Sequence, residues 1–261
     1  MNEVNKTLYI TLYGKSVISR RGIIINDKKA EEIWEKEGFK LNGKARSKWL
    51  ALFMSMRAAV FDEWTVRTIS KYPDAVVLHI GCGLDSRILR VGNSTNLWFD
   101  IDFPDVIAER KKYFSENAKY TMFEADASET GWIGSLPDAP EAVIVMEGIS
   151  MYLGRDKCRS LFEALSRKYG RLFILADVYT VFAAKASKYK NPINDVGVTE
   201  VYGIDSPDEL ETEEIRFKAE HSMTPPKLVD QLQGFERSFF NTVFAGKTTK
   251  KIYRLFEFEK I

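Results

Sequence analysis

The stretch LHIGCGLDSRI, residues 78–88, brings two glycines one residue apart to the end of an apolar run. Gly81 and Gly83 carry no side chain, so a backbone turning there can come close to a ligand. Ser86 stands where the dinucleotide fingerprint would place its third glycine. About twenty residues on lies Asp102, at the end of a second apolar segment, where nucleoside-binding sheets carry a ribose-hydroxyl acceptor. A carboxylate accepts both hydroxyl protons, which an amide does less well. Asp126 and Glu147 end two further apolar segments, where a polar group meets an adenine edge or the far end of a ligand.

No GxxxxGK[ST] is present, so a nucleotide held through a Walker loop is not expected. A zwitterionic cofactor needs a cation for its carboxylate and an anion for its amine. Arg57 and Lys15 are candidates for the first and Glu147 for the second. S-adenosylmethionine meets that charge requirement better than a nicotinamide dinucleotide, whose pyrophosphate would be repelled by Asp85 in the same turn unless Arg87 neutralises it. The chain has two histidines. His79 falls inside an apolar strand and reads as a satisfied core residue, whereas His221 precedes SMTPP and is a candidate to face an acceptor. Tyr152, after the fourth strand, is a candidate to orient one. Asp100 reads as a salt-bridge residue.

These residues need a frame to hold them. Residues 75–81, 96–104, 120–126, 141–149 and 171–179 read as strands alternating with helical connections, the pattern of a doubly wound, mostly parallel sheet. Residues 1–70 read as a helical cap, with Asp27 capping one helix and Arg57 inside a longer one. The cap is expected to join a methyltransferase domain over 71–261. Residues 180–225 read as a polar, substrate-side insertion with a helix after SPDEL, and Phe182, Tyr189 and Tyr202 as its contribution to an acceptor pocket. Two aromatic-rich runs around AGKTTK then read as a C-terminal antiparallel hairpin. Parallel strands ending in such a hairpin are the arrangement of an S-adenosylmethionine-dependent methyltransferase.

Composition bounds the partners. The formal charge of +1 gives no field for nucleic acid or an anionic membrane, and no apolar run approaches the ~20 residues of a bilayer span. Cys82 and Cys158 lack metal or redox spacing and read as free thiols in a reducing compartment. The first residues lack the pattern of a secretory signal, so a cytoplasmic location is expected.

TLYGKSVISRRG, MSMRAAVFDEW, LHIGCGLDSRILRV, WFDIDFPDVIAERKKYF and VMEGISMYL together resemble the leucine carboxyl methyltransferase family. The resemblance is closest to its bacterial branch of polyketide or small-molecule O-methyltransferases, the tetracenomycin-type enzymes. It implies a class I S-adenosylmethionine-dependent methyltransferase fold with a seven-stranded sheet. By motif it assigns Arg57 and Lys15 to the methionine carboxylate, Gly81 and Gly83 to the loop, and Asp102 to the ribose. Asp126 and Ala127 fall near adenine and Glu147 near the amino-acid end. The expected reaction is O-methylation of a small-molecule hydroxyl or carboxylate. A nicotinamide oxidoreductase and an inactive methyltransferase-fold binding protein are the competing expectations.

Overall fold

The computed structural model describes residues 7–39, 41, 43–92, 95–190 and 201–260. Three helices come first: α1 (Leu8–Arg20), α2 (Lys28–Glu37) and α3 (Lys48–Lys71). Asp27 caps α2 as expected, its carboxylate accepting the Ala30 amide at 2.9 Å. There follow β1 (Val76–Ile80), α4 (Arg87–Val91), β2 (Trp98–Asp102), α5 (Pro104–Arg110) and β3 (Tyr120–Glu124). The chain continues through β4 (Glu141–Met146), α6 (Ser150–Lys168), β5 (Arg171–Tyr179) and α7 (Val181–Lys190). It closes with β6 (Arg216–His221), α8 (Pro226–Val229), α9 (Gly234–Val243), α10 (Lys247–Lys250) and β7 (Tyr253–Lys260).

The seven strands lie in the order β3-β2-β1-β4-β5-β7-β6. β1 to β5 are parallel, and β7 runs antiparallel to both β5 and β6. Alternation within the buried strands divides the core. Val77, Val145 and Leu175 pack with α1 and α3 residues such as Leu12, Met56 and Phe61. Leu78, Ile144 and Ile174 pack on the other face with Leu161, Phe162 and Leu165 of α6. The helical cap therefore shares its apolar core with one face of the sheet. Chain order reverses between β1 and β4, which opens a crevice beyond their carboxyl ends.

The five expected parallel strands are all present, and the C-terminal antiparallel pair is present in a different place. FERSFFNTV, expected as a strand, lies in α9, because Phe235, Phe239 and Phe240 recur at helical spacing and α9 packs Phe240 into the core. AGKTTK is not the hairpin turn; it holds α10. The partner of β7 is β6, from within 180–225, where an insertion was expected. The helix expected after SPDEL is one 3₁₀ turn, Pro207–Glu209, closed by a capping box between Ser206 and Glu209. No helix among the described residues is long and apolar enough to cross a membrane.

Asp100 is a buried salt-bridge residue, as expected. Its carboxylate pairs with Arg110 and accepts from Tyr120 Oη at 2.7 Å and Trp98 Nε1 at 2.8 Å. His79 Nδ1 lies 3.0 Å from the same carboxylate, which makes His79 the satisfied core residue it was read as. Burial pushes the Asp100 carboxyl up, but Arg110 and His79 outweigh it and hold it at about 2. A carboxyl depressed on folding adds stability above its unfolded pKa, near 4, and loses it as pH falls through the folded value. Asp100→Ala is expected to cost about 3–5 kcal/mol at pH 7, since Arg110 would be left buried without its counter-ion. Calorimetric melts should show that deficit shrinking as pH falls from 4 towards 2.

Candidate active site

Two cavities meet at the carboxyl edge of the sheet. The first, about 300 Å³, is walled by residues that follow β1, β2, β3 and β4 together with side chains of α1 and α3. Lys15, Arg57, Gly81, Gly83, Asp102, Asp126, Ala127 and Glu147 all line it. The second, about 530 Å³, is largely apolar, with Trp49, Phe53 and Met54 of α3 facing Phe244 and Ile252. Thr7, Thr11, Arg57, Gly148 and Tyr152 belong to both walls.

The loop after β1 has the geometry its glycines suggest. Gly81 has φ +73°, and a Cβ there would stand 2.7 Å from Ile149 Cδ1, so any side chain would displace the segment after β4. Asp102, at the last position of β2, accepts the Gly83 amide on Oδ2 and the Phe103 amide on Oδ1, both at 2.8 Å. Each oxygen keeps accepting capacity, and the residue is half-buried against the first cavity. Burial raises its pKa to about 6, against the lowering effect of the two amides.

Arg57 is more heavily committed than the sequence suggested. Its Nε donates to Glu147 Oε1 at 3.0 Å, and Nη1 donates to Asp177 Oδ2 at 2.9 Å and to Tyr253 Oη at 2.8 Å. Nη2 lies 2.9 Å from Glu147 Oε1. Glu147 also pairs with Arg87. Lys15 lies 2.7 Å from Asp85 Oδ2, and Asp85 further pairs with Arg87 and Arg90. The two cations and the anion expected to meet a zwitterion are thus links in one buried ion network. Burial raises the Asp177 carboxyl despite Arg57, whereas Arg57 and Arg87 outweigh burial at Glu147 and lower it. Gly148 keeps the guanidinium approachable, because a Cβ there would sit 3.4 Å from Arg57 Nη2.

Tyr152 stands where the cavities join, and burial raises its phenol well above the usual range. His221 does not reach either cavity wall. It lies on the edge strand β6 with Nε2 2.5 Å from Glu257, and the sheet carries that pair away from the crevice. Of the three aromatics expected around an acceptor, Phe182 lines the second cavity. Tyr202 instead covers Gly154, and the side chain of Tyr189 lies outside the described residues. Asp177 and Tyr253 were not anticipated. A lone carboxylate ending the apolar run RLFILADVY was the available signal for Asp177; Tyr253, 196 residues from Arg57, had none. Asp85, expected to repel phosphate, is neutralised by three cations.

The family model described as leucine carboxyl methyltransferase matches residues 5–166. The tetracenomycin polyketide synthesis O-methyltransferase TcmP of Streptomyces glaucescens is 30% identical over 224 residues, spanning 84% of this chain and 83% of that protein. The S-adenosyl-L-methionine-dependent methyltransferase dpfgK of Gibberella zeae is 24% identical over 232 residues, spanning 79% and 77%. Among solved structures, the magnesium protoporphyrin IX methyltransferase of Synechocystis PCC 6803 superposes with a TM-score of 0.53. At 9% identity, over 95% of this chain and 100% of that one, the likeness is one of fold.

Removing Arg57 leaves Glu147 and Asp177 buried without their shared cation. Arg57→Met is expected to lower stability by about 3–5 kcal/mol at neutral pH. Uncompensated carboxylates bind protons more readily in the folded variant than in the unfolded chain, so the loss should be smaller at pH 5 than at pH 8. Thermal melts of both proteins across that range check it; a gap that does not change with pH would separate Arg57 from the two carboxylates.

Proposed function

The chain belongs to the leucine carboxyl methyltransferase family and is an S-adenosyl-L-methionine-dependent methyltransferase; we propose that it methylates a hydroxyl or carboxylate oxygen of a small molecule. The observation that carries this reading is the pair of cavities joined at Arg57, Gly148 and Tyr152. One has the donors and acceptors of a nucleoside site; the other is apolar and of ordinary ligand size. TcmP, named for O-methylation in polyketide synthesis, supports an aromatic or polyketide-like acceptor.

The first cavity fits the cofactor. Asp102 would accept from the ribose hydroxyls, while Gly81 and Gly83 allow the backbone to approach. Asp126 and Ala127 would border the adenine. Lys15 carries two N–H donors beyond the one its pairing with Asp85 needs, and would hold the carboxylate with Arg57. Glu147 would face the amine. When bound, the cofactor supplies an electrophilic methyl group on a sulfonium.

The residues of the second cavity would seat the acceptor with its oxygen at the junction, within the ~3–3.5 Å that in-line displacement demands. Trp49, Phe53 and Phe244 line that approach and would exclude water from it once an acceptor is seated. Tyr152 and Tyr253 present hydroxyls there that would orient the attacking oxygen. Both phenols are pushed up by burial, so they remain protonated donors at neutral pH. An acceptor that is already ionised, a carboxylate or an acidic phenol, would need no base.

Two measurements test this reading. Incubation with methyl-labelled cofactor and a panel of phenols, hydroxylated polycyclic aromatics and carboxylic acids should give methyl ethers or esters, which alkali distinguishes. Methylation confined to nitrogen or sulfur acceptors would overturn it. Calorimetric titration with S-adenosylhomocysteine should show affinity constant above about pH 6 and falling below it, as Asp102 gains a proton and loses acceptor capacity. Asp102→Asn should weaken binding by about 1.5–3 kcal/mol, roughly tenfold to a hundredfold, and abolish that acid limb. An acid limb that survives in the variant belongs to another group.

A further inference from the structure

The second cavity is polar at one end and apolar at the other. Its inner end, against the first cavity, holds the Arg57 guanidinium and the hydroxyls of Tyr152 and Tyr253. Its outer wall includes Phe182 of α7, Val243 at the end of α9 and Ile252 just before β7. These three are 67%, 37% and 46% exposed, unlike the enclosed apolar residues deeper in the wall. One exposed apolar side chain is ordinary on a soluble protein; three from separate elements, all on the wall of one cavity, give that wall an apolar margin open to solvent.

We propose that Phe182, Val243 and Ile252 form a distal subsite that selects acceptors with an extended apolar body, the polar end lying at Tyr152 and Tyr253 and the far end against these three side chains. The proposal rests on the methyltransferase reading for which end reacts, and it narrows the acceptor class to elongated amphiphiles. A compact polar acceptor would leave the outer wall wet and gain nothing from it. An extended one removes its own apolar surface and that of the subsite from water together, which is where the added affinity arises.

The test uses 4-alkylphenols from 4-methylphenol to 4-nonylphenol, titrated calorimetrically into the full chain with and without saturating S-adenosylhomocysteine. Affinity is expected to rise about threefold to fourfold per methylene and to go on rising through the longest members. The double variant Phe182→Ser/Ile252→Ser should bind 4-methylphenol within twofold of the unmodified protein and lose tenfold or more on 4-nonylphenol. Neither side chain is buried in the core, so its melting temperature should stay within a few degrees, which separates lost contact from lost folding. A series that stops gaining affinity after the first few methylenes would overturn the proposal. So would an equal loss for short and long members, or no binding by any phenol. Failure of S-adenosylhomocysteine to bind, with the chain-length dependence intact, would instead count against the methyltransferase reading and leave the subsite standing.

Discussion

The guanidinium of Arg57 is the tie on which the rest of the site depends. It is carried by a helix of the cap and reaches the ends of two central strands, where Glu147 and Asp177 wait, and the start of β7, where Tyr253 does. Three buried charges and a phenol would each be costly alone in this interior. Together they satisfy one another and fix the distance between the cap and the sheet. Arg57 also belongs to the wall that the two cavities share, with Thr7, Thr11, Gly148 and Tyr152, so stability and ligand geometry meet at one side chain. A buried ion cluster gives little net stabilisation compared with apolar packing, but breaking it is expensive, and this makes it a firm locator.

Around that tie the network extends in one direction only. Arg87 joins Glu147 to Asp85, and Asp85 joins Lys15 and Arg90, which also pairs with Asp27 and Asp62. The helical cap, the glycine loop and α4 are thereby held in one arrangement beside the first cavity. On the other side of Arg57 the wall is mostly aromatic and aliphatic with some hydroxyls, and no carboxylate lines it among the described residues. The division matches two different demands: a charged, nucleoside-bearing cofactor needs many directional partners, whereas an apolar acceptor needs a dry surface and a few hydroxyls at its reactive end.

The parallel strands and their terminal residues were legible in the sequence because both signals are local. An apolar run of five to nine residues buried on two faces reads as a central strand wherever it occurs. A glycine pair or carboxylate at its end then falls at the carboxyl edge of the sheet. Gly81, Gly83, Asp102, Asp126, Ala127 and Glu147 line one cavity for that reason, whereas Lys15 and Arg57 reach it from α1 and α3. The second half of the chain was less legible. Phe235, Phe239 and Phe240 are β-formers by type, yet they lie in α9, where Phe240 alone of the three is buried, so their aromatic character misstates the element.

Sequence by itself thus determined the five parallel strands, the loop, the residues at the strand ends and, through the family motifs, the class of chemistry. Partnership was decided by the tertiary structure. Arg57 meets groups 90, 120 and 196 positions away, a choice that depends on which strands lie beside one another and which way they run. His221 and Tyr253 look equally eligible as residues, yet β6 pairs the histidine with Glu257 at the sheet's edge while the first residue of β7 lines the second cavity. Side-chain type and spacing state what a residue can do. Strand order and packing decide what it is next to, because contacts across the chain are fixed by a global minimum of burial and pairing that no local window contains.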